Sequence, residues 1–199
     1  NENYPQPRRA DDVSDEDILR GIYRYAAAPA LGKEAHPARL VGSGSILNQV
    51  LAARDLLAER FGVAAEVYSA PSFPLLRRDA LLAERWNRLH PNAKPRIPIV
   101  TDVLPGDGGP IVAATDWMKA LPDMVARWLP DHFVSLGTDG FGRSGTREAL
   151  RTFFEIDPPH IAATTLVALA RCGSLTPARA AKAIRELDVD PDKVDPLTV

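Results

Sequence analysis

The chain holds a single cysteine, Cys172, so no disulfide can form within it. A chain this poor in cysteine suits a reducing compartment, and a cytoplasmic location is the expectation. No charge of one sign dominates, because 24 Lys and Arg stand against 26 Asp and Glu. That balance removes the electrostatic case for binding nucleic acid or an anionic membrane surface. No apolar run approaches the roughly 20 residues that span a bilayer, and no charged-then-apolar leader opens the chain. Internal repeats and low-complexity tracts are missing too. What is present is 199 residues, 45% of them hydrophobic, enough to bury the core of one ordinary domain. The opening Asn1-Glu2-Asn3-Tyr4-Pro5 reads as the interior of a longer polypeptide.

Residues 1–16, rich in Pro, Arg and Asp, read as a linker or an arm lying over a neighbour. Residues 17–199 read as one domain. Gly21–Ala27 alternates as a strand does, and Arg39–Val41 is a short apolar strand ending at Gly42-Ser43-Gly44-Ser45. Ile46, Val50, Ala53, Leu57 and Phe61 recur at helical spacing, with Ser45 as the expected cap and Gly62 as the stop. Ala65–Ser69 reads as a strand, and Pro71-Ser72 opens a helix to about His90. Further β segments are expected at Ile97–Val103, Ile111–Thr115 and Phe133–Leu136, the first two joined by a turn as a candidate antiparallel pair. Asp116 is the expected cap of a helix through Trp117, Leu121, Val125 and Trp128. Three closing helices are expected near 146–154, 158–172 and 177–187, with Pro158 and Pro177 in first turns and Thr176 as a cap. Strands alternating with helices predict an α/β fold: three layers, α/β/α, around a mixed, mostly parallel sheet of about five strands.

The motifs are modest. Gly42-Ser43-Gly44-Ser45, between a strand and a helix, has the position of a phosphate-binding turn but neither the Lys-Ser/Thr ending of a P-loop nor a third dinucleotide glycine. It is better read as a tight turn with a serine cap. Gly106-Asp107-Gly108 invites comparison with the metal and diphosphate segment of thiamine enzymes. That segment needs a downstream Asn as an oxygen ligand, and no Asn follows Asn92. The Gly-Asp-Gly is read as a turn between two β segments. His36, His90, His132 and His160 have no partners at metal-ligand spacing, and Cys172 reads as a packed small side chain. Gly137-Thr138-Asp139-Gly140-Phe141-Gly142-Arg143-Ser144 follows a strand's carboxyl end, where open α/β sheets place ligand sites. Its candidate residues are Asp139, Phe141, Arg143 and Ser144, at an interface or an active-site rim. Asp139 and Arg143 are expected to pair, and Phe141 to anchor the loop on a neighbouring surface.

Several of these segments together carry a resemblance. Leu40–Ser45 with its helix, Val67-Tyr68-Ser69-Ala70-Pro71-Ser72 and the late Gly137–Ser144 loop resemble the C-terminal domain of the transketolase superfamily. Glu84-Arg85-Trp86-Asn87-Arg88-Leu89-His90-Pro91, the opening Asn1–Tyr4 and the ending Asp188–Pro196 resemble the homodimeric pyruvate dehydrogenase family within it. The Glu84–Pro91 stretch is the most specific part, and the Gly-Ser-Gly-Ser turn the least.

That resemblance implies a parent enzyme using thiamine diphosphate and Mg²⁺ to decarboxylate pyruvate and pass the acetyl unit to a lipoyl group, on the route to acetyl-CoA. It implies as partners the N-terminal and middle domains of the same polypeptide, a homodimer mate and a dihydrolipoyl acetyltransferase core. In this superfamily the N-terminal domain holds the diphosphate and metal, and the middle domain supplies the activating glutamate. This chain resembles neither, so no catalytic, cofactor-binding or metal residue is assigned to it. The chain alone is expected to be inactive, with a structural and dimerisation role. Two rivals stand beside this reading: the equivalent domain of another superfamily enzyme, and a free-standing α/β module that binds a small anion at Gly42–Ser45 or regulates a partner.

Overall fold

In the computed structural model, residues 5–106, 108–130 and 132–199 are described; the Asn1–Tyr4 opening and Asp107 lie outside them. The order is α1 (Asp15–Leu19), β1 (Tyr23–Ala26), β2 (His36–Gly42), α2 (Leu47–Phe61), β3 (Val63–Ser69), α3 (Phe73–Leu89), α4 (Ile99–Val103) and β4 (Ile111–Ala114). Then come α5 (Ala120–Asp123), β5 (Phe133–Leu136), α6 (Arg147–Phe153), α7 (Pro158–Arg171) and α8 (Pro177–Glu186). The strands form one sheet of five, ordered β1-β3-β2-β4-β5. Strands β2 to β5 are parallel, and β1 lies antiparallel to β3 at one edge.

Side chains leave a strand alternately on its two faces, and both faces are covered here. Leu40, Val67, Val112 and Ala114 join a core with Val50, Leu57, Ile161, Leu166 and Leu169 from α2 and α7. Val41, Tyr68, Ile111 and Ala113 face the other way, against Phe73 and Leu76 of α3 and Val100 of α4. The three-layer α/β/α arrangement with a mostly parallel sheet therefore holds. Gly62 ends α2 with φ 66°, the left-handed cap that glycine adopts without strain. Ser72 caps α3, and Thr176 caps α8 with Pro177 in its first turn.

Several expectations are corrected. Residues 99–103 form α4, not a strand, despite their β-branched run. Pro98 precedes the helix, and Asp79 of α3 accepts from the Ile99 N–H at 2.7 Å, so a cap from a distant element overrides local preference. The antiparallel member is consequently β1, not a 97–103/111–115 pair. Ser45 is not the cap of α2: a 3-10 turn, Gly44–Ile46, precedes the helix, whose N-cap residue is Ile46 with no side-chain cap of its own. Asp116 starts no helix. The stretch after it breaks into α5, with Pro122 inside it, and a 3-10 turn at Ala126–Trp128. Sequence patterning also missed α1, which Ser14 and Asp17 close with a reciprocal capping box. The arm ahead of α1 lies across its own domain, where the Arg8 carbonyl accepts from the Tyr25 hydroxyl at 2.7 Å and the Pro5 carbonyl from Asn48 at 3.2 Å.

Candidate functional site

Strand β2 leads through α2 to β3 on one side of the sheet, whereas neighbouring β4 leads to β5 on the other. Their connections diverge, and an open α/β sheet leaves a crevice at the carboxyl ends of such a strand pair. Three loops are stitched together there. Ser45 Oγ donates to Asp116 Oδ2 at 3.0 Å, and Thr138 Oγ1 donates to the Asp116 carbonyl at 2.9 Å. Gly44 has φ +57°, and a Cβ on it would sit 3.2 Å from Asp116 Oδ1, so glycine allows this close approach. The exits of β2, β4 and β5 are thus fixed relative to one another.

A crevice of about 470 Å³ opens beside this junction. Ile46, Leu150, Phe154 and Ile156 give it an apolar lining, and Arg143, Arg147 and Arg151 bring three cations to it. Arg147, Leu150, Arg151 and Phe154 recur three to four residues apart, so α6 and its cap turn one mixed face to the crevice. That spacing is visible in the sequence, and Arg147 and Arg151 are the residues that sequence reading missed. Asp157 caps α7 and fastens the end of α6 behind the crevice. It accepts from the His160 N–H at 3.1 Å and Thr152 Oγ1 at 2.6 Å, and His160 Nδ1 lies 2.5 Å from it. Burial pushes the Asp157 carboxyl up, but the His160 and Thr152 hydrogen bonds outweigh burial and hold its pKa below the ordinary value.

The four loop candidates are placed differently from one another. Asp139 does not pair with Arg143; its carboxylate accepts from the Lys119 N–H at 2.9 Å and so fastens the loop base to the segment after β4. Arg143 lies 4.5 Å over the Phe153 ring. Phe141 is 82% exposed, a large apolar ring left in solvent, and Ser144 is exposed beside it. Of the four, Arg143 lines the crevice.

Gly106, Gly108 and Gly109 sit at the opposite, amino edge, between α4 and β4 and not between two strands. Arg39 of β2, 2% exposed, donates to the Pro105 carbonyl and to the Gly109 carbonyl at 2.7 Å. A Cβ on Gly108 would lie 2.8 Å from the guanidinium, and one on Gly109 would lie 2.1 Å from the Pro37 carbonyl. These glycines are closed around a buried cation and the β2 backbone. Among the described residues no group of three or more His, Cys, Asp and Glu could hold a metal ion, and Asp107, the carboxylate of this segment, lies outside them.

The remaining histidines are dispersed. His36 begins β2, His132 precedes β5, and His90 caps α3, stacked on Trp86 at 3.6 Å. Arg96 also stacks on Trp86, at 3.7 Å, and Asn87 exchanges two hydrogen bonds with the Arg96 backbone at 2.8 and 2.9 Å. Glu84 binds Trp128 Nε1 at 2.8 Å and pairs with Arg127. The Glu84–Pro91 stretch is therefore a structural clasp, remote in role from the crevice. Cys172 is half-buried at the end of α7, its thiol directed to the Leu169 carbonyl at 3.3 Å.

The parallel sheet and its antiparallel edge strand define an α/β domain of the transketolase C-terminal kind. Residues 21–157 match the family described as transketolase-like TK C-terminal domain, and the chain belongs to that family. It is 44% identical over 198 residues to the pyruvate dehydrogenase E1 component of Pseudomonas aeruginosa, covering 99% of this chain and 22% of that protein. The E1 component of Escherichia coli K12 is 41% identical over 198 residues, covering 98% and 22%. The chain thus spans about 22% of the length of these relatives. Among solved structures, transketolase from Leishmania mexicana superposes with TM-score 0.56 at 22% identity, covering 81% of this chain and 20% of that one. A Pichia stipitis transketolase gives 0.52 at 23% identity, covering 100% and 22%. These two likenesses concern the fold.

Proposed function

We propose that this chain is the C-terminal structural and dimerisation domain of a pyruvate dehydrogenase E1 component. The observation that carries the reading is identity of 44% and 41% to such components across nearly the whole chain. The transketolases share the fold at 22 and 23% identity, which favours the pyruvate dehydrogenase type over other members of the superfamily. In this reading the intact enzyme decarboxylates pyruvate with thiamine diphosphate and Mg²⁺ in its N-terminal and middle domains. It then transfers the acetyl unit to lipoyl groups on a dihydrolipoyl acetyltransferase core in the cytoplasm. This chain supplies a rigid α/β body, no reacting group, and the loop Asp139–Ser144 as an interface or active-site rim. Phe141 is the contact residue of that loop: a solvated ring is a favourable thing to bury against a second subunit.

The test is a paired titration. Isothermal titration of the intact protein with thiamine diphosphate and Mg²⁺ gives saturable binding, and that protein acetylates a lipoyl domain from pyruvate. The 199-residue chain alone does neither. Saturable one-to-one binding by the chain below about 100 µM, beyond roughly −5.5 kcal/mol, would place a cofactor site here and overturn the reading.

A further inference from the structure

We infer that the segment after α8, residues 188–199, is a strap that holds the loop after β5, residues 137–144, and can release it while the rest of the domain stays folded. The loop's role at an interface or a rim is not needed for it. Asp188, with φ 56°, turns the chain just past α8. The segment then meets its neighbours at two points. Lys193 Nζ donates to the carbonyl of Phe153, the last residue of α6, pairs with Glu155 at 3.1 Å and lies 5.4 Å from the centre of the Phe153 ring. A cation on the closing carbonyl of a helix is well placed, because that end carries partial negative charge. Further along, the Pro196 carbonyl meets the loop tip: a Cβ on Gly140, which has φ +103°, would lie 2.3 Å from it. Glycine permits so close an approach. Asp195 braces this second point, its carboxylate accepting from the Leu197 N–H at 2.9 Å and its carbonyl from the Thr198 N–H at 2.9 Å.

Burial points the same way. None of residues 190–199 is buried, and the two that are half-buried are Lys193 and Pro196, the two points of contact. Val194, Leu197 and Val199 are exposed, so no large apolar side chain anchors the segment. A segment held by polar and backbone contacts opens at much lower cost than the core beneath it. The loop is in the same condition beyond its base. The Thr138 N–H donates to the Trp117 carbonyl and Asp139 accepts from the Lys119 N–H, but residues 140–146 are exposed. The tip rests on the strap at Gly140, and Arg143 lies over the Phe153 ring that Lys193 also overlies. Loop and strap thus share one ring and one backbone contact, so withdrawing Lys193 frees both while the sheet stays intact.

The test is limited proteolysis of the intact protein that contains this chain, with an arginine-specific protease so that Lys193 itself is not cut. Mass spectrometry locates the fragments. Cleavage after Arg143 reads opening of the loop, and cleavage after Arg54, within α2, reads opening of the whole domain. Each rate follows the population of the open form when reclosing is fast. Lys193→Met, and deletion of residues 193–199 as a second variant, are each expected to speed cleavage after Arg143 about tenfold or more, with cleavage after Arg54 within about twofold of wild type. Cleavage after Arg143 that neither variant accelerates overturns the proposal. So does equal acceleration after Arg54, since the segment would then hold up the whole domain and not the loop. If the deletion prevents folding, Lys193→Met decides.

Discussion

The chain carries two glycine-rich loops, at Pro105–Pro110 and Gly137–Gly145, on opposite edges of one sheet. They look alike in composition and behave differently. The first wraps Arg39, a side chain 2% exposed that donates to the Pro105 and Gly109 carbonyls. The space beside its Gly108 is taken by the Arg39 guanidinium, and that beside Gly109 by the Pro37 carbonyl. The second is pinned at Gly137 against Trp117 and at Gly140 against Pro196, then opens outward with Phe141 82% exposed. A glycine-rich loop is therefore a structural latch or a working surface according to what lies beneath it. The looser one is the better candidate for function.

Substitutions can break that contrast. The largest effect is expected at Gly109, which has φ +77° and whose Cβ would lie 2.1 Å from a backbone oxygen. Gly109→Ala should destabilise the domain by roughly 3 kcal/mol, and Arg39→Met by a similar amount, about 3 kcal/mol, since two carbonyls lose a charged donor. Urea unfolding measures both. A loss under about 1 kcal/mol for both would mean the first loop is not a latch.

The next effect concerns the frame behind the second loop. Asp157→Ala removes the α7 cap and should cost about 1–2 kcal/mol. The folded-state pKa of Asp157 lies below its unfolded value. Its contribution is therefore whole above about pH 4 and is lost as pH falls through the folded value. Wild type should lose more stability than Asp157→Asn between pH 7 and pH 3. Equal losses would show that this carboxylate does not stabilise the frame.

Smaller still is the expected cost at the loop tip. Phe141→Ala should leave stability within about 0.5 kcal/mol yet weaken dimers of the intact protein in sedimentation experiments. Dimers as tight as wild type would remove Phe141 from the interface. Gly142, where a Cβ would meet nothing within 4 Å, sets the lower bound. Gly142→Ala should shift unfolding by less than about 0.5 kcal/mol, and a larger loss would make the second loop as rigid as the first.

Sequence alone determined the elements whose signals are local and repeated. The stripe from Ile46 to Phe61 became α2 after one 3-10 turn, Gly62 ended it, and Phe133–Leu136 became β5 with the expected bounds. The strand–helix alternation determined the layered fold, because each amphipathic segment has one way to bury its apolar face. Tertiary structure decided what no local pattern encodes. Residues 99–103 became helix because Asp79 reaches across to cap them. Ser45 found Asp116, 71 residues away, instead of a backbone N–H. Arg143, Arg147 and Arg151 share a crevice only because β2 and β4 lie side by side with connections that run apart. A cap, a stripe and a turn are written in neighbouring residues, whereas a site at a strand exit exists only once distant segments have been brought to one edge of the sheet.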